Sequence, residues 1–152
     1  MIPSSDIFWR WGVLILHSGL VGLAGQNLEL YRIVLTAREI DNLETRFSRQ
    51  GEAAFSISGR GHEASVALAC ALREDDWLRC HYRDKALMLA RGLDPLAFFR
   101  SLFCTDSSIS RGRQMPGMMS SRTINLLSTT VPVGNNVLQD VGVAMAIKEG
   151  GR

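Results

Sequence analysis

The chain has 152 residues, 46% of them hydrophobic and 21% charged, with only 4 Pro. That composition excludes disordered, collagen-like and disulfide-stapled chains and fits about one globular domain of roughly 150 residues. Seventeen basic against fifteen acidic side chains leave a net charge of +2, a field too weak to draw nucleic acid or a membrane surface. All the basic residues except Lys85 and Lys148 are arginines, whose planar fork suits carboxylate and phosphate. The cysteines, Cys70, Cys80 and Cys104, show no C-x-x-C spacing. Neither a disulfide framework nor a zinc site is indicated, and a reducing, cytoplasmic compartment is expected.

An apolar stretch from Ile7 to Ala24 is interrupted by Arg10 and His17, so no membrane span is expected. Asp6 and the lack of a basic cluster before the run argue against a signal peptide. Residues 1–27 read as an irregular extension. From Leu28 the apolar positions Leu30, Ile33, Ala37, Ile40 and Phe47 recur at helical spacing until Gly51, predicting a long amphipathic helix. Ala53 to Ser58 alternates as a short strand would, and Gly59-Arg60-Gly61 follows. A small-residue helix is expected from His62 to about Arg73, then a strand from Trp77 to Cys80. A helix from Lys85 to Arg91 is stopped by Gly92, and Asp94-Pro95 starts another, running to about Cys104. Thr105 to Arg122 has no clean period and is long enough to be a binding loop. A last helix is predicted over Val137 to Lys148. Alternating strands and helices imply an α/β fold with a parallel sheet flanked by helices. Only two or three strands are present, so residues 28–152 are expected to be the front part of a larger domain.

Four segments could carry chemistry. Gly59-Arg60-Gly61-His62-Glu63-Ala64 fits G-x-G-x-x-[G/A], the nicotinamide dinucleotide fingerprint, or is a glycine turn that starts a helix. Tyr82-Arg83 follows a strand and precedes a helix, where phosphates collect in open α/β folds; the bland alternative is a surface contact of Arg83 with Asp84. Gly112 to Met119 combines an arginine, an amide and three thioethers, a combination more often core or interface filler than an active site. Thr129 to Asn136 offers oxygens that could ligate a hard monovalent cation or cap the following helix. His17, His62 and His81 lack metal-ligand spacing, and no nucleophile with a partnered base stands out.

Five motifs occur in an order that carries a resemblance: L-Y-R-I-V-L-T-A-R at 30–38, G-R-G-H-E-A at 59–64, H-Y-R-D at 81–84 with L-A-R-G at 89–92, G-R-Q-M-P at 112–116, and P-V-G at 132–134 leading into V-G-V-A at 141–144. From about Leu30 onward the chain resembles the N-terminal part of the alpha subunit of the decarboxylating component of 2-oxo acid dehydrogenase complexes, the branched-chain group in particular. The resemblance implies part of a thiamine-diphosphate-binding fold and the oxidative decarboxylation of a 2-oxo acid with acyl transfer to lipoamide. It assigns Tyr82 and Arg83 to the cofactor diphosphate, and the backbone of Val131 and Val133 to its aminopyrimidine. Thr130, Pro132, Asn135 and Asn136 align with a potassium site, where Ser, Pro, Thr and Gln are usual. Near Met118 the family often has a His, and a thioether cannot transfer a proton. The magnesium motif, Gly-Asp-Gly to Asn, matches positions beyond Arg152, so this chain alone is expected to be inactive. A beta subunit or fused beta region and a lipoyl-bearing acyltransferase are the implied partners, in a hetero-oligomer. The alternatives are a dinucleotide-binding module built on Gly59–Ala64 and a non-catalytic remnant that only binds a partner.

Overall fold

The computed structural model describes residues 20–150, and two compact units divide the chain, Met1–Arg32 and Ile33–Arg152. Helix α1 spans Leu20–Arg49, so it starts earlier than the expected Leu28, inside the segment read as an irregular extension. Residues 7–19 of the apolar run lie outside the described residues. No helix among the described residues is long and apolar enough to cross a membrane. In the first unit Leu28 and Tyr31 stand exposed, and Glu29 pairs with Arg32 at 3.8 Å, one helical turn on.

The second unit holds the core. Ile40 of α1 joins Leu78, Cys80, Leu87, Met88, Leu93, Phe98, Met119, Ile124 and Leu126 in one buried cluster. Helix α2 (Lys85–Ala90) contributes Leu87 and Met88 to it, and helix α3 (Pro95–Leu102) contributes Ala97 and Phe98. Burial pushes the Cys80 thiol up to about 12, with the Asp84 charge adding to the effect, so this cysteine is inert packing. Asp94 caps α3 as its sequence predicts: the carboxylate accepts the Leu96 N–H at 2.9 Å with Pro95 in the first turn. Asp94→Ala is expected to lower stability by about 1 kcal/mol in urea denaturation.

Two expectations fail locally. The segment after Gly61 winds as a 3-10 helix, Glu63–Cys70, rather than an α-helix reaching Arg73; alanine favours α winding, so propensity does not account for the difference. No strand forms among the described residues. Ala53 to Ser58 has no ladder partner, and Trp77 to Cys80 is reduced to one parallel bridge, Leu78 to Leu126, with the Leu78 N–H on the Asn125 carbonyl and the Leu127 N–H on the Leu78 carbonyl, both at 2.8 Å. A strand exists only through its neighbour's hydrogen bonds, and here a loop supplies that single neighbour.

The Thr105 to Arg122 stretch is built mostly from turns, as its lack of period implied, and the non-helical path runs on past Leu126. Its path depends on Gly112, which has φ +69° and where a Cβ would lie 2.4 Å from the Cys104 carbonyl oxygen. Ser108 accepts the Gly112 N–H at 2.9 Å, and Gln114 donates to Ser128 at 2.8 Å. The last helix, α4 (Asn136–Glu149), buries none of its residues. Arg79 ties it back to the bridge segment, donating to Asp140 at 2.9 Å and to the Ser128 carbonyl.

Candidate functional site

The turn between the Leu78 bridge and α2 presents Tyr82 half-buried and Arg83 exposed. The Arg83 guanidinium lies 5.7 Å from the Tyr82 ring centroid. Asp84, the neighbour that could have neutralised it, is engaged elsewhere: Oδ2 accepts the His81 N–H at 2.9 Å, and Oδ1 lies 3.7 Å from His62 Nδ1. Among the described residues no carboxylate pairs with Arg83. The bland reading of Arg83 as a partner of Asp84 is therefore not realised, and an uncommitted fork beside a phenol suits a multiply charged phosphate. Gly117 approaches the same place, since a Cβ there would sit 3.8 Å from Tyr82 Cβ. The G-R-Q-M-P loop thus ends against Tyr82.

Beneath the turn lies a charged cluster that motif reading missed. Lys85 Nζ, 3% exposed as a residue, donates to Asp41 Oδ1 at 2.8 Å and to Glu44 Oε2. Asp41 also accepts the Gly59 N–H and the Ser58 hydroxyl, each at 2.7 Å. Burial drives the Asp41 carboxyl upward, yet the hydrogen bonds from Lys85, Gly59 and Ser58 outweigh it and hold the group below its ordinary value. For Glu44 burial wins over the Lys85 charge, and its carboxyl is raised. Asp41 and Glu44 lie one turn apart on the buried side of α1, and Lys85 is one of only two lysines in an arginine-rich chain. Those were the signals available. The cluster joins α1, the glycine turn and α2 directly behind Arg83. The contact is close, as a Cβ on Gly59 would meet the Arg83 carbonyl oxygen at 2.9 Å.

The Gly59–Ala64 turn offers little to a dinucleotide. A pyrophosphate needs free backbone N–H groups, but Gly59 donates to Asp41, Arg60 to the Ser58 hydroxyl, Gly61 to Glu63 Oε2 and His62 to the Gly59 carbonyl. Glu63 is itself held by Arg38 at 2.5 Å. Two carboxylates thus occupy the place where an anion would sit.

The Thr130–Asn136 segment is brought together in part. The Thr130 hydroxyl donates to Asn136 Oδ1 at 2.6 Å, and the Asn135 N–H donates to the Pro132 carbonyl at 3.2 Å. Asn135 makes no side-chain cap of α4, against the capping alternative. Val131 and Val133 expose their side chains. Met118 and Met119 are buried filler, as methionine clusters usually are; Thr129 donates to Met118 Sδ at 3.4 Å and accepts the Met119 N–H at 3.2 Å. No group of three or more His, Cys, Asp or Glu able to hold a metal ion occurs among the described residues.

Residues 31–152 match the family model described as "Dehydrogenase E1 component". The chain is similar to the 2-oxoisovalerate dehydrogenase subunit alpha of Bacillus subtilis, with 37% identity over 134 residues that cover 86% of this chain and 40% of that one. It is also similar to the 3-methyl-2-oxobutanoate dehydrogenase subunit alpha of Mycobacterium tuberculosis, 32% identical over 118 residues, covering 77% and 30%. The pyruvate dehydrogenase E1 component subunit alpha of Bacillus subtilis is 32% identical over 125 residues, covering 82% and 31%. The chain therefore spans 40% or less of the length of these relatives. A family match over residues 31–152, with Tyr82 and Arg83 presented together, leads to one conclusion: the chain belongs to the dehydrogenase E1 component family.

Proposed function

We propose that this chain supplies the diphosphate-gripping part of a thiamine-diphosphate-dependent 2-oxo acid dehydrogenase, acting on branched-chain 2-oxo acids. The observation that carries the proposal is the Arg83 fork beside Tyr82, left without a carboxylate because Asp84 turns to His81 and His62. The names of the relatives support the substrate class, 2-oxoisovalerate and 3-methyl-2-oxobutanoate both being branched 2-oxo acids. Bound thiamine diphosphate supplies a nucleophilic carbon and an electron sink for loss of carbon dioxide. Arg83 and the Tyr82 hydroxyl would hold its phosphate oxygens, and the Val131 and Val133 backbone would border the aminopyrimidine. Thr130, Pro132, Asn135 and Asn136 fit a potassium ion by chemistry, since hydroxyl, carbonyl and amide oxygens are neutral hard donors. A beta subunit, or a fused beta region, would complete the site, and a lipoyl-bearing acyltransferase would be the acceptor of the acyl group. The 152 residues contain no Gly-Asp-Gly, the magnesium motif that the resemblance implies, so they offer no such ligand set for an ion that would accompany the diphosphate.

A thermal melt tests this reading. Thiamine diphosphate with magnesium should raise the melting temperature, and NAD should not. Protection by NAD alone would instead support the dinucleotide module. No shift with either compound, together with self-association, would leave partner binding as the function.

A further inference from the structure

We infer that His81 is a positioning residue for the diphosphate clamp: its neutral imidazole accepts the Arg83 backbone N–H and so sets the turn that presents Tyr82 and Arg83 to a phosphate. The inference rests on the diphosphate reading of that pair. The turn is closed by three bonds. The Asp84 N–H donates to the His81 carbonyl at 2.9 Å, the His81 N–H to Asp84 Oδ2 at 2.9 Å, and the Arg83 N–H to His81 Nδ1 at 3.3 Å. Two of the three use a side-chain acceptor, and of these an imidazole ordinarily takes up its proton at higher pH than a carboxylate does. The same ring packs on Tyr82, with centroids 3.8 Å apart, and stacks on His62 at 5.7 Å. One imidazole therefore touches both residues of the clamp, Tyr82 through its face and Arg83 through Nδ1.

A histidine nitrogen accepts only when it carries no proton. The charged and titratable groups facing His81 are Tyr82, Arg83 and Asp84 of its own turn and His62 from the segment before the 3-10 helix. Burial is the largest influence and lowers the His81 proton affinity. Asp84 raises it, and His62 and Arg83 lower it, leaving the group below its ordinary value. Nδ1 is thus an acceptor at neutral pH. As pH falls through the lowered value, the proton displaces the Arg83 N–H and the turn loses the bond that orients the fork.

The test measures the affinity of the full 152-residue chain for inorganic pyrophosphate and for thiamine diphosphate from about pH 8 to about pH 5. Wild type is compared with His81→Asn, which keeps an acceptor oxygen in a non-titrating side chain that bonds the N–H two residues on. It is also compared with His81→Phe, which keeps the ring stack but has no acceptor. At neutral pH, His81→Asn should bind within about threefold of wild type and His81→Phe roughly tenfold more weakly. In acid the wild type should lose affinity more steeply than His81→Asn, the ligands' own titration being common to both. Identical pH profiles for wild type and His81→Asn would overturn the inference while leaving the diphosphate reading intact. Failure of the wild type to bind either compound at any pH would overturn both. Should His81→Phe fail to fold, the comparison of wild type with His81→Asn still decides.

Discussion

Replacing Lys85 with methionine is expected to destabilise the chain by about 3–5 kcal/mol, the cost of leaving buried carboxylates without their cation. Asp41 and Glu44 are 2% and 6% exposed, and Lys85 is the ammonium between them. Glu44→Gln should behave quite differently. The Glu44 carboxyl is raised above its ordinary value by burial, so its ionisation at neutral pH already opposes folding, and an amide oxygen can still accept from Lys85. Its effect should stay within about 1 kcal/mol. Asp41 has the opposite sign. Its lowered value means that it contributes stability at pH above the ordinary carboxylate value, lost as pH falls from there through its own lowered value. Urea denaturation of both variants at neutral pH checks the asymmetry, and equal losses would contradict it.

The second large effect is on binding. Arg83→Ala should weaken thiamine diphosphate binding roughly ten- to hundredfold, the scale of a lost charge-assisted bidentate contact. It should change stability by no more than about 1 kcal/mol, because Arg83 is exposed, pairs with no carboxylate among the described residues and gives up only its place over the Tyr82 ring. Arg83→Lys should recover only part of the affinity, since an ammonium keeps the charge without the fork. Titration calorimetry together with thermal melts separates the two quantities. A loss of affinity matched by a loss of melting temperature would assign Arg83 to the fold instead.

How much of this was legible in the sequence depended on how local each feature is. Helix α3 could be read to its first residue because Asp94 and Pro95 act on the turn they begin. The long helix was legible from its apolar period, but not its start at Leu20, since the residues before Leu28 lack that period. Strand character at 77–80 was visible while its partner at Leu126 was not, because pairing is a property of two distant segments. Tyr82 and Arg83 could be picked out by residue type and position. That Asp84 would face His81 and His62, leaving Arg83 uncommitted, needed the fold. The glycine turn is the sharpest case: G-x-G-x-x-A specifies a backbone shape but not its acceptors, and Asp41 and Glu63 take N–H groups that a dinucleotide would require.

The most direct test is a proton–nitrogen NMR titration of the chain with thiamine diphosphate and, separately, with thiamine. The result predicted is saturable movement of the Tyr82 and Arg83 amide signals with thiamine diphosphate and none with thiamine, because the diphosphate is the part these residues hold. Unmoved Tyr82 and Arg83 signals at saturating thiamine diphosphate, or equal shifts with both compounds, would contradict the diphosphate clamp.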